Sequence, residues 1–133
     1  MNVRGIRGAT TVRGNTRGAI LGGTRGLLRA MMKSNRVGPA DVAAAFFTLT
    51  PDLNAGFPAS ISRELARARD GRAWTHVPVM CSVEIGVPDA PAKIVRVMLL
   101  VNTDAPPGRI RHQFLGGTRR LRPDLPAGGG TRR

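Results

Sequence analysis

The sequence predicts an α/β domain, a mixed β-sheet with flanking helices. Three observations carry that expectation. Lys93–Asp104, KIVRVMLLVNTD, holds an apolar run from Ile94 to Val101, bounded by Pro91 before it and Pro106 after it, as a strand would be. Thr16–Ser34 places Ile20, Leu21, Thr24, Leu27, Leu28, Met31 and Met32 at helical spacing. Val42–Thr50 and Val77–Val87 add two more strand-like stretches separated by proline and glycine turns.

Taken in order, Val3–Thr11 reads as a first strand, with Val3, Gly5, Arg7 and Ala9 on one face. Its glycines weaken it but allow another backbone or a ligand to approach. The helix over 16–34 has Asn15 as its candidate N-cap and Asn35 as its stop. Gly18, Gly22, Gly23 and Gly26 each cost it about 1 kcal/mol against alanine. Its outer Arg17, Arg25, Arg29 and Lys33 have no carboxylate four residues away, so packing must hold it. Gly38–Asp41 is a turn. Val42–Thr50 reads as a strand, with an alanine-rich helix as the competing assignment. Pro51–Gly56 is a loop, and Pro58 starts a helix running to about Arg69, broken by Asp70-Gly71. Val77–Val87 is a strand in which Pro78 marks the beginning or an edge. The turn over Pro88–Ala92 allows it to pair with Ile94–Val101 as a hairpin. Pro106–Arg111 suggests a helical turn, His112–Leu115 and Arg119–Leu121 short strand segments. Residues 1–125 form the expected single domain, and 126–133, PAGGGTRR, a disordered tail.

The chain's 133 residues suffice for one domain, and 41 % apolar content permits a core. No stretch reaches the ~20 apolar residues of a membrane span. Arginines at positions 4, 7, 13 and 17 interrupt any signal-peptide segment. With one cysteine, Cys81, no intrachain disulfide can form, and a cytoplasmic protein is expected. The net charge of +13 is concentrated at the ends: residues 1–40 hold eight basic groups and no acid, residues 105–133 seven arginines and one aspartate. Such ends read either as solubilising surface or as an anion- or nucleic-acid-binding feature. One Trp, no Tyr and four Phe argue against single-strand nucleic-acid stacking. GxxxxGK[ST], HExxH and CxxC are absent, and His76 and His112 stand without a metal-ligand pattern.

Two charged residues lie in apolar company. Arg96 shares a strand face with Ile94, Met98 and Leu100, and Glu84 a face with Pro78, Met80 and Ser82. A guanidinium cannot shed its charge, so Arg96 requires an anion. If the hairpin forms, Glu84 lies close to Arg96. That geometry reads equally as a structural pair or as a binding site. Arg7 reads most simply as a solvated strand-end arginine. Cys81 reads as a small buried residue rather than a nucleophile.

The motifs resemble the monofunctional chorismate mutases that assemble as a pseudo-α/β-barrel trimer. They run RGIRGATT (Arg4–Thr11), TPDL (Thr50–Leu53), FPA (Phe57–Ala59), REL (Arg63–Leu65), VPV (Val77–Val79) and Cys81-x-x-Glu84. IVRVM (Ile94–Met98), Thr103-Asp104, IRH (Ile110–His112) and LRPDL (Leu121–Leu125) follow. The resemblance implies the Claisen rearrangement of chorismate to prephenate, in a homotrimer with sites between subunits, without cofactor or metal. Carried over by position, Arg96, Glu84, Arg7 and Cys81 are catalytic, and Phe57, Ala59, Arg63, Phe114 and Leu121 bind substrate. Phe114 stands where the family usually has tyrosine, and Ser60 where lysine is common, so weaker substrate binding is implied. Residues 66–73 make a longer connection than usual, and its arginines compensate in part. A relative acting on another chorismate-like dicarboxylate and a basic nucleic-acid-binding protein are the alternatives.

Overall fold

The computed structural model describes residues 1–121, without the side chains of 120 and 121. The expected 126–133 tail lies outside them. The apolar run at 94–101 becomes the centre of the sheet. Strand β4 (Ile94–Thr103) is flanked by β2 (Val42–Leu49) and β1 (Asn2–Thr11), both antiparallel to it. Strand β3 (Val79–Val83) joins β2 in parallel, and the two-residue β5 (Gln113–Phe114) joins β1 in parallel, giving the order β3-β2-β4-β1-β5. The sheet is mixed, as expected, but one pairing differs. The expected hairpin between the third and fourth strands does not form, because β2 lies between them. The largely apolar β2, with Ala45 and Phe47 buried, takes the place beside β4 that local hairpin logic gave to β3, and β3 lies at the edge, as Pro78 allowed. β3 is also shorter than expected and stops at Val83.

Helix α1 (Arg17–Asn35) covers one face of the sheet. Leu27, Leu28 and Met31 meet Ile6, Phe47, Leu99 and Val101 in the main core, and all seven are essentially inaccessible to solvent. Each such side chain contributes about 1.5–3 kcal/mol of burial. Packing does hold this helix, and the glycines show how. A Cβ at Gly8 of β1 would sit 2.4 Å from Met31 Sδ, and one at Gly23 of α1 would sit 2.6 Å from a Val12 methyl. The strand glycine admits the helix rather than a ligand. The N-cap is Thr16, whose hydroxyl accepts from Ala19 N–H at 3.1 Å. Asn15 instead accepts from Asn54 and Ala55 N–H, tying the 51–56 loop to the helix start. At the other end Arg36 adopts the left-handed cap conformation.

The segment expected as one helix from Pro58 to Arg69 is three pieces: a 3-10 turn at Pro58–Ser60, helix α2 (Ile61–Ala66), and a 3-10 stretch at Arg69–His76. Gly71 sits inside the last piece, against the Leu65 carbonyl, so it permits a close turn instead of ending the structure. Glu64 of α2 pairs with Arg25 of α1, the carboxylate that α1 lacks in itself. Residues 116–121, expected as strand at 119–121, are 3-10 helix beginning at Gly116, whose φ of 59° places it in the left-handed region.

The two sheet faces differ. Val95, Val97, Leu99 and Val101 of β4 are buried beneath the helices. On the opposite face Met98 is 38 % exposed and Met80 of β3 65 % exposed. Ala9 and Ile94 are buried on this face, so among the described residues it is closed around them and open around Met98 and Met80.

Candidate active site on the open sheet face

Strand register places one row of side chains across all five strands. Phe114 pairs with Ala9, Ala9 with Arg96, Arg96 with Thr48, and Thr48 with Ser82. Alternation puts this row on the open face, with Arg7 one pair further along β1, opposite Met98. Arg96 thus stands in the middle of the sheet. At the end of the row, beyond Ala9, Phe114 is buried with Ala9 and Ile94 in a small apolar cluster. The Arg7 guanidinium carbon lies 5.5 Å from the Phe114 ring centre, within cation–π range. Arg7 is therefore half-buried on an aromatic platform rather than solvated. Its backbone N–H also donates to His112 Nδ1 at 2.9 Å, tying β1 to the chain entering β5.

Glu84 follows β3. Its backbone N–H donates to the Leu49 carbonyl at 2.9 Å, extending the ladder by one residue and fixing its side chain on the open face. Its carboxylate Oε2 accepts from the Thr48 hydroxyl at 2.6 Å and lies 3.0 Å from Arg96 Nε. Glu84 and Arg96 therefore meet without a hairpin, reaching toward each other over β2. The contact is electrostatic: Arg96 Nε is buried and makes no hydrogen bond among the described residues, because its N–H is not aimed at the nearby oxygen. An open cleft of about 760 Å³ includes Thr48, Glu84 and Arg96, with Ile85, Val87 and Pro91 from the following loop. Asp52 helps shape its floor by accepting from Lys93 N–H at 3.0 Å. The Thr50 hydroxyl, helped by the backbone N–H groups of Asp52 and Lys93 and by the Lys93 charge, lowers the Asp52 carboxyl below its ordinary range, against the opposing effect of burial.

The other expected site residues lie behind β3. Cys81 points away from Glu84, and its Sγ accepts from Ala59 N–H at 3.3 Å. Burial raises its thiol above the ordinary cysteine range, with the Ala59 N–H acting in the opposite direction. Phe57, Cys81 and Leu53 border a second cleft of about 390 Å³. Phe57 is 73 % exposed, and Arg63 on α2 is exposed as well. One chain thus brings together Arg7, Glu84, Arg96 and Phe114. It separates them from Phe57, Ala59, Cys81 and Arg63 by the edge of the sheet. The Leu121 side chain lies outside the described residues. Thr48 escaped the sequence reading, although alternation over Phe46-Phe47-Thr48-Leu49 would have put a hydroxyl on the Arg96 face.

Comparison with known proteins identifies the family. Residues 3–125 match the chorismate mutase type I family. Two relatives are chorismate mutases AroH. The Bacillus subtilis protein is 44 % identical over 125 residues, 94 % of each chain. That of Thermus thermophilus is 42 % identical over 124 residues, 92 % of this chain and 96 % of the other. A solved chorismate mutase from Clostridium thermocellum superposes with a TM-score of 0.81 at 40 % identity, covering 89 % of this chain and 99 % of that one. A mixed α+β sheet with an open cleft that includes Glu84 and Arg96 is the setting, and the chain belongs to the type I chorismate mutase family.

Proposed function

We propose that the open sheet face rearranges chorismate to prephenate, an intramolecular isomerisation. The observation that carries this reading is Arg96: a buried guanidinium Nε–H without a hydrogen bond among the described residues, facing the same cleft as Glu84, in a chain of this family. Chorismate carries two carboxylates, which arginines attract and orient. Its carbon–oxygen bond breaks ahead of carbon–carbon bond formation, so negative charge grows on the ether oxygen. Arg96 donates to that oxygen and stabilises the transition state more than the ground state. Arg7, seated on Phe114, holds a carboxylate and selects the compact reactive conformer. Glu84 accepts from the ring hydroxyl. No covalent intermediate, cofactor or metal enters this scheme.

The assembly we propose is a homotrimer with each site shared between subunits. Three features support it. Among the described residues the sheet face carrying Arg96 is exposed around Met98 and Met80. The edge strand β3 and the chain after it expose Met80, Val83 and Ile85. Phe57, Ala59, Cys81 and Arg63 lie on the far side of that edge, where they suit the site of a neighbouring subunit. In that arrangement Phe57 and Leu121 form apolar walls, Cys81 stands beside the substrate, and Arg63 closes the entrance and steers the dianion in. With Phe114 in place of the usual tyrosine, one hydrogen bond to a carboxylate is lost and substrate binding is weaker. The basic termini gain no nucleic-acid role from these likenesses. No helix among the described residues is long and apolar enough to cross a membrane. A cytoplasmic location fits the single cysteine. The test is direct: purified protein should consume chorismate, followed by its absorbance, and release prephenate that acid converts to phenylpyruvate. Unchanged chorismate would refute the reading.

A further inference from the structure

Thr48 occupies the point between the two charged groups of the site. It is the register partner of Arg96 on one side and lies on the strand next to Glu84 on the other. Its hydroxyl donates to Glu84 Oε2 at 2.6 Å, the length of a strong charge-assisted hydrogen bond. That same oxygen is the one 3.0 Å from Arg96 Nε. Without a competing donor, a carboxylate this close to a guanidinium would close into an aligned ion pair and neutralise it. Here the Arg96 Nε–H remains without a hydrogen bond among the described residues, while the carboxylate is engaged by the hydroxyl.

We infer that Thr48 is a positioning residue, whose hydroxyl anchors one oxygen of Glu84 so that Arg96 keeps its Nε–H for the substrate. The inference rests on the chorismate reading above. The anchor has two consequences. It leaves Oε1 as the oxygen that accepts from the substrate hydroxyl. It also prevents Glu84 from satisfying Arg96 internally, which would remove the donor at the moment charge develops on the ether oxygen. A threonine suits this place because its β-branched side chain belongs in a strand and its hydroxyl reaches the next strand's carboxylate. Valine has the same shape without the donor.

The test is steady-state kinetics with chorismate on Thr48→Val, Thr48→Ser and Thr48→Ala, alone and combined with Glu84→Gln, beside melting curves for each. Thr48→Val should lower kcat by about tenfold to a hundredfold, the range for a lost hydrogen bond to a charged group, with a much smaller change in KM. Thr48→Ser should restore most of kcat. In the Glu84→Gln background the valine substitution should add little, because the group that Thr48 positions is already altered. Equal kcat for wild type and Thr48→Val, or full additivity with Glu84→Gln, would overturn the inference while leaving chorismate turnover intact. A wild type that does not consume chorismate overturns both. If the valine variant fails to fold, Thr48→Ala carries the same expectation.

Discussion

Arg96 and Glu84 are oppositely charged and 3.0 Å apart, yet the guanidinium Nε–H is not used by the carboxylate. Glu84 is only 13 % exposed and is bonded to Thr48, so the pair is an arranged polar site rather than a surface ion pair. The arrangement depends on the planar fork of arginine. Arg96→Lys should therefore fail to rescue catalysis: a compact ammonium can approach Glu84 from any direction and cannot present the same directed donors. Rates for Arg96→Lys close to wild type would contradict that. Cys81 makes a second prediction. Its raised pKa keeps the thiol neutral at pH 7, so kcat/KM should show no ionisation from Cys81 below the ordinary cysteine range. The sign for stability follows. The folded state holds the proton more tightly, so this contribution is complete below the unfolded thiol's pKa and is lost as pH rises above it. Alkylation by iodoacetamide, slow in native protein and fast in urea, checks the same point. Arg96 and Glu84 were legible from sequence because charges stand out against apolar alternation. Thr48 was not, since a threonine in a strand is ordinary until its partner across the sheet is known.

At the scale of elements, α1 contains glycines of two kinds. Gly23 faces the Val12 side chain, whereas Gly26 has open space around the position of a Cβ. Gly26→Ala should stabilise the protein by about 0.5–1 kcal/mol, through helix propensity and a less flexible unfolded chain. Gly71→Ala should destabilise by about 1–3 kcal/mol or more, because its Cβ would lie 2.0 Å from the Leu65 carbonyl oxygen. Chemical denaturation of the two variants should show midpoints shifted in opposite directions. The helix period and the apolar strands were readable from local pattern, as 3.6-residue and two-residue spacings are properties of a short window. The insertion of β2 between β3 and β4 was not. It is decided by which strand can be buried at the sheet's centre, and that depends on partners distant in sequence. The Pro58–Arg69 segment divided for a similar reason: its carbonyls and Gly71 pack against one another in a way helical spacing does not encode.

At the scale of the whole molecule, the proposed trimer would account together for the exposed part of the sheet face and the separation of the expected site residues. Light scattering should give three times the 14.1 kDa chain mass. Coexpressed subunits carrying Arg96→Ala and Arg63→Ala should form hybrid trimers in which some sites recover both arginines. A component with wild-type KM should then appear that neither parent shows. Purely additive kinetics of the two parents would place each site within one chain. The separation itself could not be read along the sequence, because a set of residues in the right order says nothing about which copy supplies each. The most direct measurement of the central claim is kcat/KM for Arg96→Ala with chorismate, at unchanged oligomeric mass. Loss of one preorganised donor to the developing oxyanion predicts a fall of about 10²–10³ or more. Turnover near that of the wild type would contradict the assignment of Arg96 as the electrostatic catalyst.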